Sequence, residues 1–287
     1  MIGASKSSRN LLASSKAGCA SASSCEQHDA GSYGCRNPLD CDRGGPQLRR
    51  VIISVSELTR RFGATTALAS VSLSLPRGAV YGLVGANGAG KTTLIRHILG
   101  LLRAQSGSVR VFDLDPVADP VGVLSRIGYL SEENDLPGWM RVDELIRYSR
   151  AFYPAWDDAY AEDLRQAFAL DPTAKIKTLS KGQKARTGLL IALAHRPELL
   201  VLDEPSSGLD PIVRRDILGA VIRTIADEGR TVLFSSHLLD EVEEVADHVT
   251  MISHGTIVLS APLDAITASH GSLDAAFLAH VGTTPDA

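Results

Sequence analysis

Residues 85–93 combine glycines, a lysine and hydroxyl side chains at a fixed spacing. Gly85, Gly90, Lys91 and Thr92 fit the pattern G-x-x-x-x-G-K-[ST], in which glycines let backbone N–H groups wrap phosphate oxygens without Cβ clashes. The lysine of this pattern reaches the β- and γ-phosphates, and the threonine hydroxyl is a ligand for Mg²⁺. The segment therefore predicts binding of a nucleoside triphosphate with magnesium. The other residues expected along the phosphates are Asn87, Gly88, Ala89 and Thr93.

Two adjacent acids, Asp203 and Glu204, follow an apolar run at positions 199–202. Such a run predicts a buried strand, and open α/β sheets bind ligands at the carboxyl ends of their strands. Asp203 is the expected acid on the side of the metal. Glu204 points in a different direction and is the candidate general base that polarises an attacking water.

The elements that must position these groups are also visible in the sequence. Residues 79–84 form a short apolar run that predicts a buried strand directly before the glycine loop. Leu94, Ile95, Ile98 and Leu101 then recur at helical spacing. Strand, glycine loop and helix in this order are the context that supports a phosphate-binding loop, and the pattern predicts an α/β fold.

Composition limits the class of protein. The chain has 287 residues, of which 44% are hydrophobic and 22% charged, as is ordinary for a globular protein. After residue 50 the acidic residues outnumber the basic ones, so a nucleic-acid partner is not expected, because such partners need a basic face. No apolar run approaches the roughly 18–20 residues that span a bilayer.

Residues 1–50 differ from the rest of the chain. They hold Cys19, Cys25, Cys35 and Cys41 among many serines and glycines, and we expect a disordered N-terminal extension. A zinc site is a weaker alternative, because structural zinc ligands usually stand closer together, and Val51 is an alternative start of the protein. The absence of cysteine from Val51 onward suits a reducing cytosol.

Further motifs follow in a fixed order. They are LSKGQ at 179–183, VLDEP at 201–205, SGLD at 207–210, and His237 directly after a run at 231–236 that predicts another buried strand. With the glycine loop, they resemble the ATP-binding subunits of ABC transporters, in particular those of ABC-2-type exporters. The resemblance implies a P-loop NTPase core with a parallel sheet, an antiparallel β subdomain near the N-terminus and an embedded helical subdomain at about 137–185, all within residues 51–287.

The resemblance also assigns roles to single residues. Phe62 matches the aromatic residue that stacks on adenine, Asp210 lies at the seam of a dimer, and His237 bonds the γ-phosphate and helps to hold the water. The residues implied to contact ATP that is held by the other subunit are Ser180, Gly182 and Gln183. One chain alone therefore has two incomplete sites.

Two positions depart from the family pattern. Glu132 stands where a glutamine normally contacts Mg²⁺, with Glu133 as the alternative match. A carboxylate oxygen still suits a hard cation, although it adds negative charge near the phosphates. Lys181 stands in the signature LSKGQ where the family has glycine, which adds a positive charge near the γ-phosphate of the other subunit.

The segment before the signature carries several aromatic side chains. Trp139, Phe152, Tyr153 and Trp156 lie in a stretch with apolar residues at helical spacing and a break at Pro154. Two interpretations remain open at this point. The aromatic side chains pack within a small helical unit, or they form a docking surface for a membrane permease.

The expected function is ATP hydrolysis that drives export through a separate permease by ATP-dependent dimer closure, with ATP and Mg²⁺ as ligands. The expected location is the cytoplasmic face of the plasma membrane, and the second subunit is a copy of this chain or a related one. The alternatives are an importer ATPase and a soluble ABC-type ATPase of an assembly complex. The sequence does not identify the transported substrate.

Overall fold

The structure of the protein is a computed structural model that describes residues 51–133, 135–226 and 229–281. These residues belong to the compact unit Leu48–Ala287. The N-terminal extension expected at residues 1–50, with all four cysteines, lies outside the described residues.

A small antiparallel sheet begins the described chain. It consists of β1 (Val51–Phe62), β2 (Thr65–Pro76) and β4 (Ser106–Val111) in the order β2-β1-β4. Buried and exposed residues alternate along much of β2, because successive side chains of a strand point to opposite faces. One face of this sheet is therefore available for the core and the other faces solvent.

The larger sheet has the order β5-β6-β7-β3-β8-β9, in which all neighbours are parallel except the pair β8 and β9. Its strands are β3 (Val80–Val84), β5 (Ile127–Leu130), β6 (Leu199–Asp203), β7 (Thr231–Ser236), β8 (His248–Ser253) and β9 (Thr256–Pro262). All residues of β3, β6 and β7 are buried, as expected for parallel strands that are covered on both faces. This architecture confirms the predicted α/β class.

Nine helices lie in the part of the chain that the structure describes. They are α1 (Lys91–Ile98), α2 (Pro120–Leu124), α3 (Val142–Arg150), α4 (Asp158–Ala167), α5 (Lys181–Leu193), α6 (Pro211–Ala226), α7 (Leu239–Val245), α8 (Leu263–His270) and α9 (Leu273–Val281), with a 3₁₀ turn at Ile176–Thr178. Among the described residues, no helix combines the length and the apolar character that crossing a membrane requires.

Side chains from the two faces of the large sheet enter two different hydrophobic clusters. Leu200 and Leu202 of β6 pack into the cluster that contains side chains of α3 to α5. Leu199 and Val201 of the same strand pack with α1 and the antiparallel sheet. Because successive side chains of β6 point to opposite faces, the strand packs against the helical cluster on one face and against α1 and the antiparallel sheet on the other.

The helical segment before the signature divides its aromatic side chains between the core and the surface. The Tyr153 ring stacks on His195 with a centroid distance of 3.9 Å, and Trp156 packs partly buried against the larger cluster. Trp139 and Phe152 are instead 72% and 60% exposed. Packing within the helical unit therefore describes Tyr153 and Trp156, whereas Trp139 and Phe152 are exposed to solvent.

An ion-pair cluster fixes the beginning of β6. The Glu198 carboxylate accepts hydrogen bonds from Arg126, at 3.0 Å from Nη2, and from Arg77, and the Arg126 guanidinium lies 3.8 Å above the Phe112 ring. The bonds from Arg126, with a smaller contribution from Arg77, lower the pKa of Glu198 to about 2. The cluster connects the turn after β2 and the turn before β5 to β6.

We expect Glu198→Gln to lower the free energy of unfolding at pH 7 by about 1 kcal/mol, a modest value because the side chain is 42% exposed. A carboxylate whose pKa is lowered by folding contributes its full stabilisation at pH values above its ordinary pKa of 4.5. This contribution is lost as the pH falls toward 2. Urea unfolding at pH 7 and at low pH measures the difference. If the difference in unfolding free energy between Glu198→Gln and wild type stays constant as the pH falls, the ion-pair interpretation is wrong. The control is Glu244→Gln, which changes an exposed carboxylate on α7.

Candidate functional site: a phosphate-binding cavity

A cavity of about 230 Å³ opens at the carboxyl ends of the parallel strands. It is lined by Ala67, Asn87, Gly88, Gly90, Lys91, Thr92, Thr93, Glu132 and Glu204. In the sheet order, β7 lies between β6 and β3, and its residues Ser235 and Ser236 stand level with Asp203 and Val84 respectively. The strand ends therefore bring residues that are far apart in sequence to one edge.

Glycine is required where the loop enters α1. Gly90 caps the helix with a φ of 113°, and a Cβ there would lie 2.7 Å from the carbonyl oxygen of Ala67. Gly88 also has a positive φ, of 79°. This backbone turns the N–H groups at the start of α1 toward the cavity, where the helix N-terminus favours an anion.

Lys91 is buried and held by groups of its own chain. Its Nζ donates hydrogen bonds to the carbonyl oxygens of Gly85 and Ala86, at 2.6 and 3.2 Å, and lies 3.1 Å from Oε1 of Glu204. Only 5% of the Lys91 side chain and 6% of the Glu204 side chain are exposed. A triphosphate that enters the cavity must therefore compete with Glu204 for this cation.

Oxygen atoms that suit a magnesium ion converge beside Lys91. The Thr92 hydroxyl lies 3.2 Å from Oδ1 of Asp203, and the Ser235 hydroxyl donates to the same oxygen at 2.7 Å. Hydroxyl and carboxylate oxygens are the donor set that Mg²⁺ prefers, and it commonly uses few protein ligands together with phosphate oxygens. The residues present thus fit the ion that the phosphate-binding loop implies.

Glu204 and His237 form a close pair at the ends of β6 and β7. Nδ1 of His237 lies 2.6 Å from Oε2 of Glu204, and the backbone N–H of Glu204 donates to the Ser235 hydroxyl at 2.9 Å. Glu204 has a φ of 48°, a left-handed conformation that is uncommon for a residue other than glycine. The surrounding contacts hold Glu204 in this conformation, which directs its carboxylate to both Lys91 and His237.

Glu132 reaches the cavity from the loop after β5. It is exposed, and its Oε1 lies 3.5 Å from the Ser207 hydroxyl. Glu133 does not line this cavity; it lines a smaller one of about 40 Å³ together with Lys181, to which Glu132 also contributes. The position of Glu132 is compatible with its predicted match to the metal-contacting residue.

Several predicted site residues do not line the cavity within the described chain. The Phe62 ring is exposed, with the Arg60 guanidinium 4.6 Å from its centroid. Asp210 accepts hydrogen bonds from the N–H groups at the start of α6, at 3.0 Å. The remaining residues of this group are Gly85, Ala89, Ser180, Gly182, Gln183, Asp203 and His237.

The signature residues instead organise the start of α5. Ser180 caps this helix and accepts a hydrogen bond from the Gln183 N–H at 3.2 Å, while the Gln183 side chain accepts from the Ser180 N–H at 3.0 Å. This reciprocal arrangement satisfies two N–H groups that a helix start otherwise leaves unpaired. A Cβ on Gly182 would lie 2.7 Å from the Val213 side chain, so glycine allows α5 and α6 to approach.

Sequence reasoning missed two residues of the site. Ser235 joins the carboxylate of Asp203 to the backbone of Glu204, although the sequence indicated only a strand there. The hydroxyl residues of this buried strand were the available signal, since buried hydroxyls need hydrogen-bond partners. Ala67 contributes to the cavity wall from the second strand, and no pattern in the sequence marks it.

The fold and the cavity define a P-loop nucleoside triphosphatase with a helical segment inserted before β6, the strand that ends at Asp203. A family model described as "ABC transporter" matches residues 68–207. The chain belongs to the ATP-binding proteins of ABC transporters, and as a member of this family it binds ATP and hydrolyses it. This confirms the predicted family, fold class and ATPase activity.

Individual relatives support this membership. The chain is 34% identical over 228 residues to the daunorubicin/doxorubicin resistance ATP-binding protein DrrA of Streptomyces peucetius. The aligned region covers 77% of this chain and 68% of DrrA. It is 31% identical over 215 residues to the bacitracin transport ATP-binding protein BcrA of Bacillus licheniformis, covering 74% and 70% respectively. The solved structure of an ATP-binding subunit of an ABC transporter superposes with a TM-score of 0.73 at 27% identity, covering 79% of this chain and 98% of that one.

The Lys91–Glu204 pair generates a prediction about nucleotide affinity. We expect Lys91→Ala to weaken ATP binding at least about tenfold, because charge-assisted bonds to the phosphates are lost. Glu204→Gln keeps the shape of the side chain and removes a competing anion, so its affinity for ATP should equal or exceed that of wild type. Calorimetric titration with ATP and magnesium measures both. Equal weakening by the two substitutions would contradict this interpretation.

Proposed function

We propose that the chain powers export through a separate membrane permease, by closing on a second ATP-binding subunit around bound ATP. The proposal of a dimer is supported by the positions of the predicted ATP contacts, only some of which line the cavity. Lys91, Thr92 and Glu204 line the cavity, whereas Ser180 and Gln183 organise the start of α5 and are not among its lining residues. A second chain that presents its α5 start to this cavity would complete the site.

The hydrolytic step is assigned to residues at the strand ends. Thr92, Asp203 and Glu132 are the proposed ligands of Mg²⁺, which supplies charge neutralisation at the phosphates. Once the phosphates become the partners of Lys91, the Glu204 carboxylate loses its cationic partner and is available to accept a proton from the attacking water. His237, at 2.6 Å from Glu204, holds the carboxylate in place and is the proposed donor to the γ-phosphate.

The remaining predicted contacts belong to the closed dimer. We assign Ser180, Gly182 and Gln183 to the γ-phosphate of ATP held by the partner, since the start of α5 combines N–H groups with a positive dipole end. Asp210, at the start of α6, is assigned to the seam. Phe62 is exposed, which leaves its ring face available for stacking on adenine in place of the contact with Arg60.

An exposed aromatic group is the proposed contact with the permease. Trp139, Tyr148 and Phe152 are all more than half exposed, and the rings of Tyr148 and Phe152 meet edge to face with centroids 5.0 Å apart. Large apolar side chains that are exposed together are typical of interaction surfaces. Docking there places the chain at the cytoplasmic face of the membrane.

The direction of transport is inferred from relatives. The name of DrrA refers to drug resistance, and resistance through an ABC transporter requires that the compound leaves the cell. This supports export over import. A copy of the same chain is the simplest second subunit, with a related chain as the alternative.

Trapping of the closed dimer tests the mechanism. We expect Glu204→Gln to bind ATP, form a stable dimer and hydrolyse very slowly, because the proton acceptor is lost while the phosphate contacts remain. Size-exclusion chromatography with light scattering, with and without ATP, measures the dimer, and phosphate release measures turnover. Lys91→Ala, which lacks the phosphate contact, should remain monomeric. Wild-type turnover by Glu204→Gln would exclude Glu204 as the base.

Membrane association tests the transport function. The tagged full chain, isolated from membranes of its own cells, is expected to bring down a polytopic membrane protein, and Trp139→Ala/Phe152→Ala should reduce this recovery at least about fivefold, since the docking surface loses its largest contacts. Leu278→Ala, an exposed apolar residue elsewhere, is the matched control. A complex that contains only soluble proteins would contradict transport, and an associated substrate-binding protein would indicate import.

A further inference from the structure

A buried carboxylate that the proposed mechanism does not use lies behind the Glu204–His237 pair. Glu241 on α7 is only 2% exposed. Its Oε2 accepts hydrogen bonds from the hydroxyls of Ser206 and Ser236, at 2.7 and 3.0 Å. Its Oε1 lies 3.0 Å from Nε of Arg214 on α6. Each oxygen of this carboxylate thus has a separate set of partners.

The two serines stand beside the two proposed hydrolytic residues. Ser206 is two residues after Glu204, and Ser236 directly precedes His237. The Ser236 hydroxyl also accepts a hydrogen bond from the N–H of Leu238, at 3.0 Å, so it fixes the backbone on the far side of His237. One carboxylate oxygen therefore joins the loop that leaves β6 to the last residue of β7.

We propose that Glu241 is a positioning residue of the ATPase, whose carboxylate sets the distance between Glu204 and His237 by clamping the loops that carry them. The inference rests on the proposed roles of Glu204 and His237 and adds a residue that contacts neither substrate nor metal. Ser235 already joins the two strands at the level of Asp203. Glu241 supplies a second connection, between Ser206 in the loop after β6 and Ser236, the last residue of β7.

Arg214 extends the clamp to the proposed dimer seam. It lies on α6, whose start is capped by Asp210, and the backbone N–H of Arg214 bonds the carbonyl oxygen of Asp210 at 3.0 Å. A displacement of the loop 206–210 on dimer closure would be transmitted through Arg214 and Ser206 to the same carboxylate. Glu241 thereby couples the position of the seam to that of His237.

The chemistry requires a carboxylate at this position. Both oxygens of an ionised glutamate accept hydrogen bonds, whereas a glutamine amide has one acceptor and one donor end. In Glu241→Gln, the amide nitrogen must face either the Arg214 guanidinium, which is also a donor, or the two serine hydroxyls. The first arrangement sets two donors against each other, and the second requires both serine hydroxyls to accept where they now donate. Both remove the negative charge opposite Arg214, while the size of the side chain is kept.

The test compares turnover with nucleotide binding in the full-length chain. We expect Glu241→Gln to lower kcat for ATP at least about tenfold, while KM and the affinity for ATP change less than about twofold, because misplaced reacting groups affect the chemical step. Glu244→Gln, an exposed carboxylate on the same helix, should retain wild-type kcat. If KM rises as much as kcat falls, or if kcat is unchanged, the positioning role is wrong.

A second set of variants keeps the test valid if Glu241→Gln folds poorly. Ser206→Ala/Ser236→Ala leaves the Glu241–Arg214 pair intact and should lower kcat to within about threefold of Glu241→Gln. Combining the two changes should add little, since both break the same connection. Additive losses, or wild-type kcat in the serine variant, would overturn the inference. Glu204→Gln is measured alongside: its full activity would contradict the proposed function, whereas an inactive Glu204→Gln beside a fully active Glu241→Gln would contradict only the clamp.

Discussion

The buried pair of Lys91 and Glu204 is the interaction on which the site depends. Both side chains are almost fully buried, with their charged atoms 3.1 Å apart, and a charge in such a place must keep a partner. Removing one member of a buried pair typically costs about 3–5 kcal/mol. In this structure the proposed phosphate-binding cation is therefore paired with the proposed general base, and the proposed mechanism requires that bound phosphates replace Glu204 as the partner of Lys91.

This pairing is possible only because three strands end at one edge. Lys91 follows β3, Glu204 follows β6 and His237 follows β7, and β7 lies between the other two. Parallel strands with matching register deliver their next residues to the same side of the sheet. Side-chain contacts at the strand ends then determine the fine geometry. Ser235 of β7 bonds the Asp203 carboxylate and the Glu204 backbone, and Glu241 of α7 bonds Ser206 and Ser236.

Much of the fold could be predicted from the sequence, and some of the site could not. The apolar run 199–202 predicted a buried strand, and β6 is indeed buried along its whole length, because parallel strands covered on both faces need apolar residues at successive positions. The aromatic segment was ambiguous, since helical spacing alone does not separate Tyr153, which stacks inward, from Phe152, which faces solvent. Ser235, Ala67 and Glu241 carried no motif, because their roles arise from neighbours that are distant in the chain.

The sequence by itself determined the family and the ATPase class, and it predicted which loop binds the phosphates. Glycine and lysine at that spacing are required by local backbone geometry and charge, which short-range patterns record. Only the tertiary structure decided that Lys91 lies against Glu204, that His237 meets the same carboxylate, and that Ser180 and Gln183 cap α5 rather than line the cavity. These contacts follow from sheet order and helix packing, which bring together residues that no local pattern relates.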